Sequence, residues 1–297
     1  MLDFIIIGGG TAGLSSAVYA CRANKSALVI ERESFGGQIV DAPNVENYPG
    51  IVNISGAQFA SDLFDQAEKS GASFKCETVS KIVPEGACTT VVTDMGKYTA
   101  KAVIIAAGCE HRRLGVAHEE ELIGNGVSYC ALCDGAFFKD KTVAVVGGGN
   151  AAFTDALYLA GVAGLVYLIH RRDAFRAEQA LVERAKALNS VRIITNATVK
   201  ELHGADELNA ITLDVNGKPQ KIDVDGMFVA IGQQPDNGSF APVALDENGY
   251  IIADEMCRTN IRGVYAAGDC RAKTVRQLTT AAADGAIAVD TALKEMF

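Results

Sequence analysis

Short, almost wholly apolar runs punctuate the chain, and each closes on glycine. Phe4–Ile7 runs into Gly8-Gly9-Gly10, and Thr142–Val146 runs into Gly147-Gly148-Gly149. Runs this short with no polar face predict parallel strands buried on both sides. A small-residue helical stretch follows each glycine triplet, and then a second apolar run, Ala27–Ile30 or Val166–Ile169. Two further runs end alike, Val103 to Ala107-Gly108 and Met227 to Ile231-Gly232. Strand-rich stretches with turn signals lie around 73–99 and 191–222, the second holding the hairpin pair Asn216-Gly217. A last strand closes on Gly268-Asp269 and precedes a helix from about Gln277. The pattern predicts an α/β chain with two Rossmann-like dinucleotide-binding domains.

The two halves repeat. Gly8 to Gly13 (Gly-Gly-Gly-Thr-Ala-Gly) is answered 139 residues later by Gly147 to Ala152 (Gly-Gly-Gly-Asn-Ala-Ala). Ala17-Val18-Tyr19 is likewise answered by Ala156-Leu157-Tyr158. The first glycine of each motif permits a tight turn, and the second (Gly10, Gly149) lets backbone approach a pyrophosphate. The third position, Gly13 or Ala152, lets helix pack on strand. The helix starts, Thr11-Ala12 and Asn150-Ala151, then offer free N–H groups and partial positive charge to phosphates.

The two motifs differ in charge at the end of the second strand. There the first unit carries Glu31, 18 residues after Gly13. A carboxylate at that place accepts ribose hydroxyls and repels a 2′-phosphate. The second unit carries His170, followed by Arg171, Arg172 and Arg176. Guanidinium matches phosphate geometry, so this cluster suits a 2′-phosphate. The natural pairing is tightly held FAD in the first unit and exchangeable NADPH in the second. Asp269 at the late Gly-Asp supports FAD, as a carboxylate for ribityl or ribose hydroxyls.

Composition changes the picture in three ways. A chain of 297 residues, 49% hydrophobic and 21% charged, has material for two cores. A net charge of -9 argues against nucleic acid as partner, since phosphate neutralisation needs a basic face. The N-terminus has no basic region before its first strand and no run reaches membrane-spanning length, so a cytoplasmic protein is expected.

Of eight cysteines, Cys21, Cys76, Cys88, Cys109, Cys257 and Cys270 stand isolated and are expected in the core. Cys130 and Cys133 form the one Cys-x-x-Cys. At a helix start, such a pair cycles between dithiol and disulfide, and Asp134 beside it supplies a proton donor and acceptor. Half a zinc site and two idle core thiols are the competing readings. No second Cys-x-x-Cys or His pair is offered to complete a zinc site, so no metal is expected.

Taken together, these motifs resemble the low-molecular-weight, bacterial type of thioredoxin reductase. The resemblance runs in order through Gly8 to Gly13, Gly36-Gly37-Gln38, Val45 to Gly50, Cys130 to Gly135, Gly147 to Ala152, His170 to Arg176, Gly263 to Asp269 and Arg276-Gln277. It implies a discontinuous FAD domain, 1–113 with 245–297, and an inserted NADPH domain, 114–244, that carries the dithiol. It implies a homodimer that reduces a thioredoxin-like protein. Glu31, Arg32, Gly36, Gly37, Gln38, Asn47, Ala107, Gly108 and Gly268 to Leu278 would contact FAD, with Asp269, Arg276 and Gln277 among them. Cys133 would face the flavin, Cys130 would attack the partner's disulfide, and Asp134 would be the acid/base.

The chain departs from the family at Ala151-Ala152-Phe153-Thr154-Asp155, where Ser/Thr-Ala-x-Glu is usual, and at Leu132, where Thr is usual. Dithiol and nicotinamide both ride on the insert and both must meet the flavin. A rotation about connections near Arg113–Ala117 and Phe240–Leu245 is therefore expected. A flavin oxidase on the same scaffold would tend to lose the basic cluster, a ferredoxin–NADP reductase would lack the dithiol, and a non-catalytic flavin-binding sensor would not need both.

Overall fold

The computed structural model describes residues 1–42 and 44–297. In chain order the elements begin β1 (Leu2–Ile7), α1 (Thr11–Arg22), β2 (Ala27–Glu31), α2 (Gly56–Lys69), β3 (Ser73–Cys76), β4 (Val79–Glu85), β5 (Cys88–Thr93), β6 (Lys97–Ile105) and β7 (Glu110–His111). Then come β8 (Val127–Ser128), α3 (Ala131–Asp134), β9 (Thr142–Val146), α4 (Asn150–Leu159), β10 (Leu165–Ile169), α5 (Gln179–Lys186) and β11 (Val191–Ile194). The chain ends with β12 (Ala197–His203), β13 (Ala210–Val215), β14 (Lys218–Asp223), β15 (Gly226–Val229), β16 (Gln233–Gln234), β17 (Val264–Ala266) and α6 (Leu278–Met296).

These elements form two units. The first is Met1–Glu110 with Gln234–Phe297, and the second is His111–Gln233. In the first, a parallel sheet runs β3-β2-β1-β6-β17, and β4 and β5 extend it antiparallel along the other half of β6. In the second, the parallel order is β11-β10-β9-β15-β8, with β12-β13-β14 as a separate antiparallel sheet. The repeat seen in the motifs thus extends to the order of four strands, the fifth coming last in the first unit's chain order (β17) and first in the second's (β8). Phe4, Ile5 and Ile6 of β1 and Val143, Ala144 and Val145 of β9 are fully buried, as strands covered on both faces must be.

The chain crosses between units at 110/111 and 233/234, and the crossing strands β7 and β16 pair with each other. The sequence places these crossings near 113 and 244. Packing moves them, because the His111 ring lies against Tyr129 and Arg112 N–H donates to Gly232 O within the second unit, while Phe240 and Val243 are buried in the first.

Of the six isolated cysteines, Cys109, Cys257 and Cys270 are buried as expected, but Cys76 is exposed and Cys21 and Cys88 are half-buried. Cys76 ends an edge strand beside Glu31, so only one of its sides is covered.

The turn after β9 has no slack. A Cβ at Gly147 would stand 2.4 Å from the Ala230 carbonyl oxygen, whereas one at Gly149 would meet nothing within 4 Å. Gly147→Ala should therefore lower stability by about 1–3 kcal/mol and Gly149→Ala by under about 1 kcal/mol. Urea unfolding of the two variants, followed by circular dichroism, measures the difference.

Candidate functional site

Both glycine turns are built by the same hydrogen bonds. Gly8 N–H donates to Ile30 O at 2.8 Å, and Gly147 N–H donates to Ile169 O at 3.0 Å. A later loop then ties back to each turn: Gly36 N–H donates to Gly9 O, and Arg176 N–H to Gly148 O, both at 2.8 Å. Gly10 and Gly149 are the N-caps of α1 and α4, and neither helix has a side-chain cap. Both helix starts therefore keep their first-turn N–H groups open to an anion.

In the first unit, Glu31 ends β2 and accepts Gly9 N–H at 2.7 Å through Oε2. Its Oε1 accepts Arg32 N–H at 2.8 Å. Arg32 points elsewhere, pairing with Glu110 and, at 3.4 Å, with Asp236. These are ion pairs between exposed side chains. Gly36 and Gly37, both at positive φ, press against the first glycine turn, where a Cβ on Gly37 would come 3.1 Å from Gly10 Cα. Gln38 donates to the Cys109 carbonyl, and the neighbouring Ala107-Gly108 turn opens on free space at Gly108. Asn47 and Gln277, 230 positions apart, meet at 3.2 Å. Gln277 caps α6 through Thr280, and Leu278 is that helix's first residue.

Gly268 has no room for a side chain, since its Cβ would stand 2.8 Å from Ala12 Cβ. Asp269 is half-buried, and burial pushes its carboxyl above the usual range against the pull of Lys273 and Arg276. Its Oδ1 has no hydrogen bond in line, although the Lys273 ammonium lies 3.3 Å away. Arg276 stacks 4.1 Å over the Tyr250 ring and donates to Asp269 O. A buried carboxylate oxygen left open, beside two bare glycine turns and an uncapped helix, fits a cofactor with hydroxyls and a pyrophosphate, as FAD has.

In the second unit, His170 lies under the glycine turn. A Cβ on Gly148 would come 2.2 Å from its imidazole, and its Nε2 is 3.1 Å from Ala174 O. The ring is buried and tilts against Phe175. Burial, with Arg171, Arg172 and Arg176 nearby, lowers its pKa. It therefore acts as a neutral floor for the loop, unlike the three arginines. These are exposed, and among the described residues none has a carboxylate within ion-pair distance. Three exposed guanidiniums beside an uncapped helix fit a nucleotide with a 2′-phosphate, as NADPH has. Asn150 and Glu178 bond to each other twice, at 2.8 and 2.9 Å, and so staple the arginine loop to the start of α4. Ala151 is exposed, Ala152 is buried, and Gly232 follows Ile231 at positive φ after β15. Thr154 stands where the family usually has its Glu, and Asp155, one residue on, is half-buried and pushed up to about 6 by burial.

Cys130 and Cys133 form a disulfide, with Cα atoms 5.3 Å apart, around the four-residue α3. Cys130 is the N-cap, and its sulfur accepts Cys133 N–H at 3.1 Å. Asp134 follows directly, half-buried, with Ser128 Oγ donating to it at 2.6 Å. Burial raises its pKa, the direction that favours a proton donor, against the Ser128 hydrogen bond that lowers it. Tyr129, just before the dithiol, is held by Glu119, which also accepts Leu114 N–H and Gly115 N–H. Among the described residues no cluster of His, Cys, Asp or Glu could hold a metal ion, and no helix is long and apolar enough to cross a membrane.

Two dinucleotide folds, one with a carboxylate and one with arginines after the second strand, together with a redox disulfide define a flavin- and nicotinamide-dependent disulfide oxidoreductase. The chain belongs to the pyridine nucleotide-disulphide oxidoreductase family, whose pattern matches residues 2–285. It is 43% identical over 296 residues to the thioredoxin reductase of Listeria innocua, covering 98% of this chain and 93% of the relative. It is 42% identical over 293 residues to that of Treponema pallidum, covering 98% and 95%. The crystal structure of the Streptococcus pyogenes thioredoxin reductase superposes with a TM-score of 0.96 at 40% identity, covering 100% of this chain and 98% of that one.

Sequence reasoning passes over Ser128 and Asp284, and it takes in Arg271 and Lys273 only as part of the Gly268–Leu278 stretch. The one available signal is Asp284, a lone charge in the apolar stretch Ala281–Ala288 of α6.

The neutral form of His170 stabilises the fold above its unfolded pKa of about 6.5, and that contribution is lost as the pH falls toward its lowered folded value. The urea midpoint of the protein should thus fall between about pH 7.5 and about pH 5.5, and fall less in His170→Gln. Equal slopes would show that His170 is not held neutral.

Proposed function

We propose that this chain is a thioredoxin reductase in which electrons from NADPH reach the Cys130–Cys133 disulfide through FAD and pass to a thioredoxin. The observation that carries the reading is the Cys130–Cys133 disulfide on the turn just before a nucleotide-binding fold. FAD supplies a two-electron relay between nicotinamide and disulfide. Glu31, the Gly8–Gly13 turn, Gly36 to Gln38, Asn47, and Gly268 to Leu278 would hold it. Arg171, Arg172 and Arg176 would hold the 2′-phosphate of NADPH, and the open start of α4 its pyrophosphate.

Reduction of the disulfide by two electrons needs a proton for each sulfur that leaves as a thiol. Asp134, whose affinity for a proton is raised by burial, would deliver one of them. Cys130 then attacks the thioredoxin disulfide as thiolate. Its sulfur already accepts the Cys133 N–H, a bond that strengthens when the sulfur is charged. Cys133 displaces the mixed disulfide, which closes the pair again and releases reduced thioredoxin. Dithiol and nucleotide site share one unit, so the two would take turns at the flavin by rotation about the crossing strands. A homodimer and a cytoplasmic location belong to the same reading, by likeness to the family.

Charge-assisted contacts to a phosphate are worth about 1.5–3 kcal/mol each. Arg171→Ala with Arg176→Ala should therefore cut kcat/KM for NADPH by roughly a hundredfold and leave NADH nearly unchanged. Unaltered selectivity would remove the arginine loop from the argument.

In a coupled assay with thioredoxin, Cys130→Ser and Cys133→Ser should both be inactive while NADPH still bleaches the flavin. A covalent complex with thioredoxin should accumulate only in Cys133→Ser. Its appearance in Cys130→Ser instead would reverse the two roles.

A further inference from the structure

A set of charges that the glycine motifs do not explain lies against the Gly268–Asp269 turn. Asp284, within α6, is only 4% exposed and has four donors around it. Gly268 N–H donates to its Oδ2 at 3.0 Å. Arg271 grips both oxygens as a fork, at 2.9 and 2.8 Å. Lys273 Nζ donates to Oδ2 at 3.1 Å. The Lys273 side chain is itself 8% exposed, and its ammonium also lies 3.2 Å from Thr280 Oγ1 and 3.3 Å from Asp269 Oδ1. Arg271 alone matches the charge of Asp284, so the second cation is left to serve Asp269.

A buried carboxylate without a cation gives up its charge. We propose that Lys273 is a positioning residue of the FAD site: anchored on Asp284 and Thr280, it keeps Asp269 an oriented, ionised acceptor for cofactor hydroxyls. The proposal rests on the assignment of Asp269 to FAD.

The groups facing Asp269 are Lys273 and Arg276 on its own loop, Cys270 beside it, Asp284 from α6, Cys109 after β6, and Tyr250. Burial pushes the Cys109 thiol up to about 12 and the Cys270 thiol up to about 11, and it raises Tyr250, so all three stay neutral. Burial works on Asp284 in the same direction, but Arg271 and Lys273 outweigh it and hold that carboxyl low. Without Lys273 the Arg271 fork still holds Asp284, whereas burial draws Asp269 further up. The ionised form of Asp269 then exists above the raised pKa and is lost as the pH falls through it.

The test uses the full-length holoprotein, diluted until FAD dissociates, with the fluorescence of the released flavin giving Kd. Wild type, Lys273→Met, Lys273→Gln and Lys273→Arg are compared from about pH 8 to about pH 5.5. The two neutral variants should bind FAD about tenfold more weakly at the upper pH and about a hundredfold more weakly at the lower, and Lys273→Arg should recover most of the loss. Circular dichroism checks that each variant is folded, and Lys273→Gln, which keeps a polar end, carries the test if Lys273→Met is not. Unchanged affinity in the neutral variants, or a loss of the same factor at every pH, would overturn the proposal. A wild-type protein that binds no FAD would instead remove the cofactor assignment on which it rests.

Discussion

At each glycine turn the chain comes so close to itself that there is no space for a first side-chain carbon. A Cβ at Gly8 would lie 2.2 Å from the Ala106 carbonyl oxygen, and one at Gly13 would lie 1.9 Å from the Gly8 carbonyl oxygen. This closeness aims the start of α1 at the carboxyl edge of the parallel sheet, with nothing capping it. The same contact recurs between Gly147 and Ala230, and it aims α4 in the same way. An open helix start at the end of a parallel strand is a place for phosphate, whichever dinucleotide brings it. Selection between dinucleotides then falls to the residues after β2 and after β10.

Those residues work by charge and also by what they leave unpaired. Glu31 is already engaged by Gly9 and Arg32 backbone N–H groups, so its negative charge is fixed in place before any ligand arrives. The arginine loop of the second unit is its opposite. Its backbone is pinned by Arg176 to Gly148 and by Glu178 to Asn150, while its guanidiniums extend into water. A fixed anion excludes a 2′-phosphate, and pinned cations attract one. The two sites use one backbone for opposite electrostatic ends.

Much of this is legible in the sequence because the features are local. A glycine triplet after an apolar run, a carboxylate or arginines one strand later, and a Cys-x-x-Cys each declare themselves within a few residues. What escapes is set by distant packing. His170 aligns with Glu31 and sits in a basic stretch, yet the bare Cα of Gly148 and the ring of Phe175 draw it under the turn and keep it neutral. Arg32 has the right position for a ligand, and its exposed ion pairs with Glu110 and Asp236, far along the chain, are equally invisible to local spacing. The Arg271–Asp284–Lys273 cluster joins a loop to a helix, and no spacing rule marks which acids and bases will meet. The second crossing escapes for the same reason, since only the burial of Phe240 and Val243 assigns residues 234–244 to the first unit.

The pairing of β7 with β16 means that the chain leaves the first unit and returns to it through neighbouring strands. Adjacent strands lie about 4.8 Å apart. The inserted unit therefore begins and ends at nearly one point, as a self-contained domain does when its two termini are close. Such a unit can be gained, lost or exchanged in evolution without stretching the chain of its host. The order of four strands, alike in the two units, is what a duplicated module, spliced into its own copy, would leave behind.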